Sequence, residues 1–176
     1  MTAVTATRPS VKEIWHWLAE VPDPEIPVVS VTDLGIVRDV AWDGDTLVVT
    51  VTPTYSGCPA TTVINIDIEQ ALSDKGIESV RLERRLSPAW TTDWISTEAR
   101  RKLNDYGIAP PIDGTAADGR LLKRIERLSG GSDLTIACPR CGSTRTEKIS
   151  QFGSTPCKAN YRCRDCLEPF DYFKCI

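Results

Sequence analysis

The sequence predicts an α+β fold, a small mixed sheet with packed helices, followed by a compact C-terminal module built on cysteines. Three observations predict it. Two runs of alternating apolar residues, 36–42 and 46–52, flank Asp43-Gly44, a two-residue turn signal, and read as an antiparallel hairpin. Helical apolar spacing precedes this hairpin and recurs after it, and another alternating run follows around Val80, so the order is helix, strand, strand, helix, strand. Two Cys-x-x-Cys pairs lie in the last 43 residues, with β-forming stretches between them.

The elements follow in order. Ser10-Val11-Lys12-Glu13 is a capping box, and Val11, Ile14, Trp15 and Leu18 form the stripe of a short helix that Pro22 ends. His16, the only histidine, lies off that stripe and reads as a surface residue. Pro22, Pro24 and Pro27 alternate with Asp23 and Glu25; proline fixes φ and removes a donor, so a rigid extended segment is expected here. After the hairpin, residues 59–72 carry Ile64, Ile68, Ala71 and Leu72 on one helical face, and Gly76 stops the helix. Val80 and Leu82 mark a third strand. Trp90 and Trp94 read as packing residues ahead of a further helix, capped by Thr92 or Asp93, striped by Ile95, Ala99 and Leu103, and ended by Gly107. The domains expected are thus 10–107 and 134–176, joined by a Pro/Gly-punctuated linker at 108–133 that has room for a short helix through Leu121, Leu122, Ile125 and Leu128.

Composition narrows the function classes. The chain has 176 residues and a formal charge of −3, enough for one domain and an appendage. No apolar run approaches the about 18 residues of a membrane span, and the first ten residues lack a signal-peptide core, so a cytoplasmic protein without a membrane partner is expected. Seven cysteines, an odd number, argue against a fully paired secreted framework and point to metal in a reducing compartment. Residues 1–133 hold 14 basic against 20 acidic side chains, and residues 134–176 hold 7 against 4. So weak a positive field leaves nucleic acid unexpected as a partner, although aromatics such as Phe152, Tyr161, Phe170, Tyr172 and Phe173 offer either stacking surfaces or a core.

Three groups of residues carry candidate chemistry. Cys58, in Thr-Pro-Thr-Tyr-Ser-Gly-Cys-Pro-Ala-Thr-Thr, sits where a strand hands over to a helix, with Pro59 at the first helical position. Free N–H groups at a helix start favour a thiolate, which is a nucleophile and a soft metal ligand; equally, a free cysteine packs as a small apolar residue. Asp23 and Glu25 are either solvated loop acids or carboxylates held near a site. Cys138, Cys141, Cys163 and Cys166 form two knuckles 21 residues apart, the pattern of a tetrahedral zinc site that would fold the small tail; four unbound thiols or a redox pair are the alternatives. Cys157 and Cys175 remain as either core filler or further soft ligands.

Asp23-Pro24-Glu25-Ile26-Pro27, the following Val31-Thr32-Asp33-Leu34-Gly35-Ile36-Val37 and the Cys58 stretch resemble the metal–sulfur cluster biosynthesis domain of SufT-type factors. Pro88-Ala-Trp-Thr-Thr-Asp-Trp-Ile-Ser, Tyr106-Gly-Ile-Ala-Pro-Pro, Phe152-Gly-Ser-Thr-Pro-Cys-Lys-Ala and Glu168-Pro-Phe-Asp-Tyr-Phe-Lys extend the resemblance over nearly the whole chain, to the PaaD family associated with the bacterial phenylacetyl-CoA ring 1,2-epoxidase. The resemblance implies a SufT-like sheet domain, a structural zinc, and an accessory role in aerobic phenylacetate catabolism. It implies, as partners, the other epoxidase subunits: a di-iron oxygenase core and an iron–sulfur reductase. Cys58 matches the family's reactive cysteine, and Asp23 and Glu25 its acidic motif. The chain itself lacks paired Glu-x-x-His motifs and a dinucleotide fingerprint, so no activity of its own is expected. Three functions compete: a maturation factor that handles transient iron or an iron–sulfur unit through Cys58, a docking subunit in which Cys58 is only packed, and a nucleic-acid-binding ribbon.

Overall fold

The structure, a computed structural model, describes residues 8–112 and 135–174. The expected linker helix and Cys175 lie outside the described residues. α1 (Val11–Leu18) starts on the capping box: Glu13 N–H donates to Ser10 Oγ, and Ser10 N–H donates to the Glu13 carboxylate. It buries Ile14 and Leu18. β1 (Val37–Asp43) and β2 (Thr46–Val51) pair antiparallel through a tight turn in which Gly44 takes φ +57°. α2 (Ala60–Ser73) then crosses over, and β3 (Val80–Arg84) returns parallel to β2, giving the sheet order β1-β2-β3. The parallel pairing follows from the helical crossover, which a two-residue turn could not provide. α2 buries Ala60, Ile64, Ile68 and Leu72.

The segment expected to be extended is instead a folded turn. Pro22 and Ser30 form an isolated antiparallel bridge, and Pro24 and Pro27 lie inside the loop it closes, where no ladder donor is needed. Asp23 Oδ1 accepts from the N–H groups of Glu25 (3.0 Å) and Ile26 (2.8 Å), and Asp23 N–H donates to Val29 O. Ile26, Val29, Val31 and Leu34 are buried, so this turn contributes to the core instead of decorating it. Gly35, at φ +65°, closes it, and a Cβ there would lie 2.7 Å from Trp94 Cβ.

The third helix also starts later than expected. A 3-10 turn, Thr92–Trp94, is capped by Thr91, Ile95 is buried in extended conformation, and Ser96 caps α3 (Thr97–Tyr106) by accepting from Ala99 N–H. Gly107, at φ +100°, ends α3.

Ile108–Ala109, assigned by sequence to the linker, form a short strand, β4. It pairs parallel with β7 (Pro169–Phe173), which pairs antiparallel with β6 (Lys158–Cys163), and β6 with β5 (Thr146–Ser150). The C-terminal sheet is therefore β4-β7-β6-β5, with its edge strand lent by the N-terminal half. Cys157 and Phe173 belong to the main core, where Phe173 meets Trp90 edge-on at 6.1 Å. A smaller core of Ala109, Ile136, Ala159, Tyr161, Phe170 and Tyr172 lies beside the knuckles. Among the described residues no helix is long and apolar enough to cross a membrane.

Candidate functional site

β2 ends at Val51 and the chain turns through Pro53–Gly57 into α2. Cys58 N–H donates to Tyr55 O and Cys58 O accepts from Thr61 N–H, which fixes the cysteine immediately ahead of the helix. Pro59, expected inside the first turn, is the N-cap and has no side-chain cap bond. Cys58 is half-buried. It lines a pocket with Asp23 and Glu25 from the proline turn, Thr61, Ile64 and Asn65 from α2, and Cys157 and Phe173 from the C-terminal sheet. The pocket offers about 20 Å³ of free volume, room for one guest the size of a water or an ion. The three residues singled out from the N-terminal half are thus brought together, and a residue from the other end of the chain joins them.

The lining is mostly apolar, with a few polar groups among it. Burial pushes the Asp23 carboxyl up, partly offset by the N–H groups of Ile26 and Glu25 and by the charge of Lys158. Burial also raises Glu25, and the neighbouring Asp23 charge adds to it; Lys158, Thr155 and Cys157 act in the opposite sense. Cys157 Sγ lies 3.9 Å from Glu25 Oε2 and 3.0 Å from Thr155 Oγ1. Burial raises the Cys157 thiol, and the Glu25 charge contributes. Tyr55, hydrogen-bonded to Cys58, is pushed up to about 12, first by burial and then by the charges of Cys58, Cys157 and Glu25, so it stays a neutral phenol. Thr61 Oγ1 and Asn65 Oδ1 are buried without a hydrogen-bond partner. Leaving a buried polar atom unpaired costs about 1–3 kcal/mol.

The four knuckle cysteines converge separately. Their sulfurs lie within 4.8 Å of one another, with Cys138 to Cys166 at 3.7 Å and Cys141 to Cys163 at 3.6 Å. A tetrahedron with metal–sulfur bonds of about 2.3 Å has edges of about 3.8 Å, so the donor set fits zinc. Cys163 is lowered to about 7, chiefly by the backbone N–H of Cys166, so its proton is readily released to water when a cation binds. Each knuckle ends in a left-handed residue, Gly142 (φ +73°) in the first and Leu167 (φ +66°) in the second. Of the aromatics offered as stacking surfaces, Tyr161, Phe170, Tyr172 and Phe173 are buried and Phe152 is exposed. His16 is on the surface, near Glu20.

Sequence reading leaves Cys157 open between core filler and ligand and does not single out Lys158, Thr155 or Asn65. Cys157 lies 99 positions from Cys58, and no local pattern relates them. Asn65 was findable: it stands four residues after Thr61, on the helical face that carries Ile64.

Comparison with known proteins matches this two-part layout. Residues 12–81 match the family described as iron-sulfur cluster assembly protein, and residues 123–174 match the PaaD zinc beta ribbon domain. A Fe-S protein maturation auxiliary factor of Porphyromonas gingivalis is 38% identical over 94 residues, which cover 52% of this chain and 89% of that one. A crystal structure of a domain of unknown function, DUF59, from Bacillus anthracis is 29% identical and superposes with a TM-score of 0.49 over 52% of this chain and 89% of its own. An Escherichia coli K12 protein named as one of the subunits of 1,2-phenylacetyl-CoA epoxidase is 48% identical over 172 residues, or 98% of this chain and 97% of that one. On that near-complete match, the chain belongs to the PaaD family and joins an iron–sulfur assembly domain to a zinc β ribbon.

Proposed function

We propose that this chain is a cytoplasmic accessory factor of a phenylacetyl-CoA epoxidase, one that handles iron or an iron–sulfur unit for the oxygenase core or its iron–sulfur reductase. One observation carries the reading: Cys58 shares an ion-sized pocket with Asp23 and Glu25. Sulfur and carboxylate oxygen together suit a ferrous ion, and an open set of donors releases it more readily than a closed cage of four thiolates. Cys58 is the acceptor ligand for the cargo, and Asp23 and Glu25 supply negative charge and oxygen donors. The separate four-cysteine cluster holds one structural zinc. Relatives named as Fe-S protein maturation auxiliary factors support the same class of function.

The test is co-expression of the epoxidase subunits with the native chain or with Cys58→Ser. The expected result is a folded variant whose purified epoxidase has lost most of its iron and activity. A Cys58→Ser chain that yields a fully metallated, fully active epoxidase overturns the reading and leaves a docking role. That second reading draws on Val63 and Ile66, which are 45% and 58% exposed on the outer face of α2, a turn or two beyond Cys58.

A further inference from the structure

Cys157 lies outside the zinc set, whose four sulfurs already complete a tetrahedron. It is carried just ahead of β6, where its carbonyl accepts from Lys174 N–H, and it faces the other half of the molecule. We propose that Cys157 is the second sulfur ligand for the cargo held at Cys58, so that the site is a two-thiolate clamp closed by the ribbon. The inference rests on the iron-handling reading above and adds a residue to it.

Two observations carry it. First, Cys157 is 5% exposed yet has polar neighbours, with Glu25 Oε2 3.9 Å and Thr155 Oγ1 3.0 Å from its sulfur. A cysteine buried only to fill space needs no carboxylate beside it, and the buried Asp23 carboxylate that lines the same pocket is costly there unless a cation joins it. Second, Thr61 Oγ1 and Asn65 Oδ1 line the same pocket without partners. A cation in the pocket would give these oxygens a partner, as direct oxygen donors to it. Lys158, itself buried, offsets part of the carboxylate charge on this side. On binding, each thiol gives its proton to water as its sulfur–metal bond forms; no electron moves.

The experiment is anaerobic titration of the zinc-loaded full chain with ferrous ion, read by affinity and by the number of iron–sulfur bonds in X-ray absorption, with zinc content measured in parallel. The native chain should show two sulfur ligands. Cys157→Ser and Cys58→Ser should each show one and bind at least tenfold more weakly, with one zinc per chain retained. Cys157→Ala serves the same purpose if serine disturbs folding. Native affinity and sulfur count in both Cys157 variants would overturn the clamp while leaving Cys58 as a lone acceptor. Unchanged binding in Cys58→Ser as well, or no sulfur-ligated iron in the native chain, would overturn both readings.

Discussion

Asp23 carries two loads that a mutation separates. Its Oδ1 holds the proline turn through two N–H bonds, which an asparagine oxygen could also accept, whereas its charge is buried at a cost. A carboxyl whose folded titration is raised stabilises the native state below its ordinary range and loses that contribution as pH rises through the raised value. Asp23→Asn should therefore melt at or above the native temperature at pH 7, with the difference closing on acidification into the Asp23 titration range, while ferrous binding weakens. Thermal denaturation across pH checks this; a loss of stability at pH 7 that disappears in acid would show that the charge supports the fold. Leu167 gives a second residue-scale prediction. It holds φ +66°, is 60% exposed, and occupies the position that Gly142 fills in the first knuckle. Leu167→Gly should gain up to about 1 kcal/mol, because relief of left-handed strain exceeds the added entropy of the unfolded chain. Urea unfolding of the zinc-loaded protein measures it.

At the scale of elements, Asp33 ties the proline turn to α3. Lys102 Nζ lies 2.7 Å from its Oδ2, Ser96 Oγ donates to Oδ1, and Ser30 N–H donates to Oδ2. Burial pushes Asp33 up, but Lys102 and the N–H of Ser30 outweigh it and hold the carboxyl below its ordinary value. The stability this confers is present above the usual aspartate range and fades as pH falls through the lowered one. Lys102→Met should cost roughly 1 kcal/mol at pH 7 and almost nothing in strong acid, measured by denaturant unfolding at both. Such ties explain what was legible in the sequence. α1 with its cap, the β1–β2 hairpin, α2 and the knuckles are readable because each is specified by spacing within one element. The proline turn is not, because its shape is set by Asp23 hydrogen-bonding its own backbone, which a residue pattern does not display. The start of α3 shifts because buried Ile95 stays extended, leaving Ser96 to cap. Cys58, Asp23 and Glu25 stand out as motifs; Cys157 joins them only through tertiary docking.

For the whole molecule, that docking makes the ribbon part of the main core. Phe173 packs on Trp90, β7 takes β4 as its neighbour, and a Cβ on Gly107 would lie 2.7 Å from the Arg140 guanidinium of the first knuckle. Removing the metal should therefore be felt beyond the knuckles. Cys138→Ser, or chelation of the native chain, should change Trp90 fluorescence and lower amide-exchange protection at Val51 and Ile64 as well as in β5–β7. An N-terminal half with unchanged protection after complete zinc loss would show that the two sheets are energetically independent.

The parallel pairing of β4 with β7 also orders events in time. A chain made from its N-terminus can fold α1, the hairpin and α2 as soon as they emerge, but the wall of the Cys58 pocket contributed by Cys157 and Phe173 is translated after all of them. Until then, the apolar surface that Phe173 will cover faces solvent and Cys58 lacks its opposing side. Chains that stop short of Cys157 and Phe173 thus carry a more open Cys58 thiol than chains that include them.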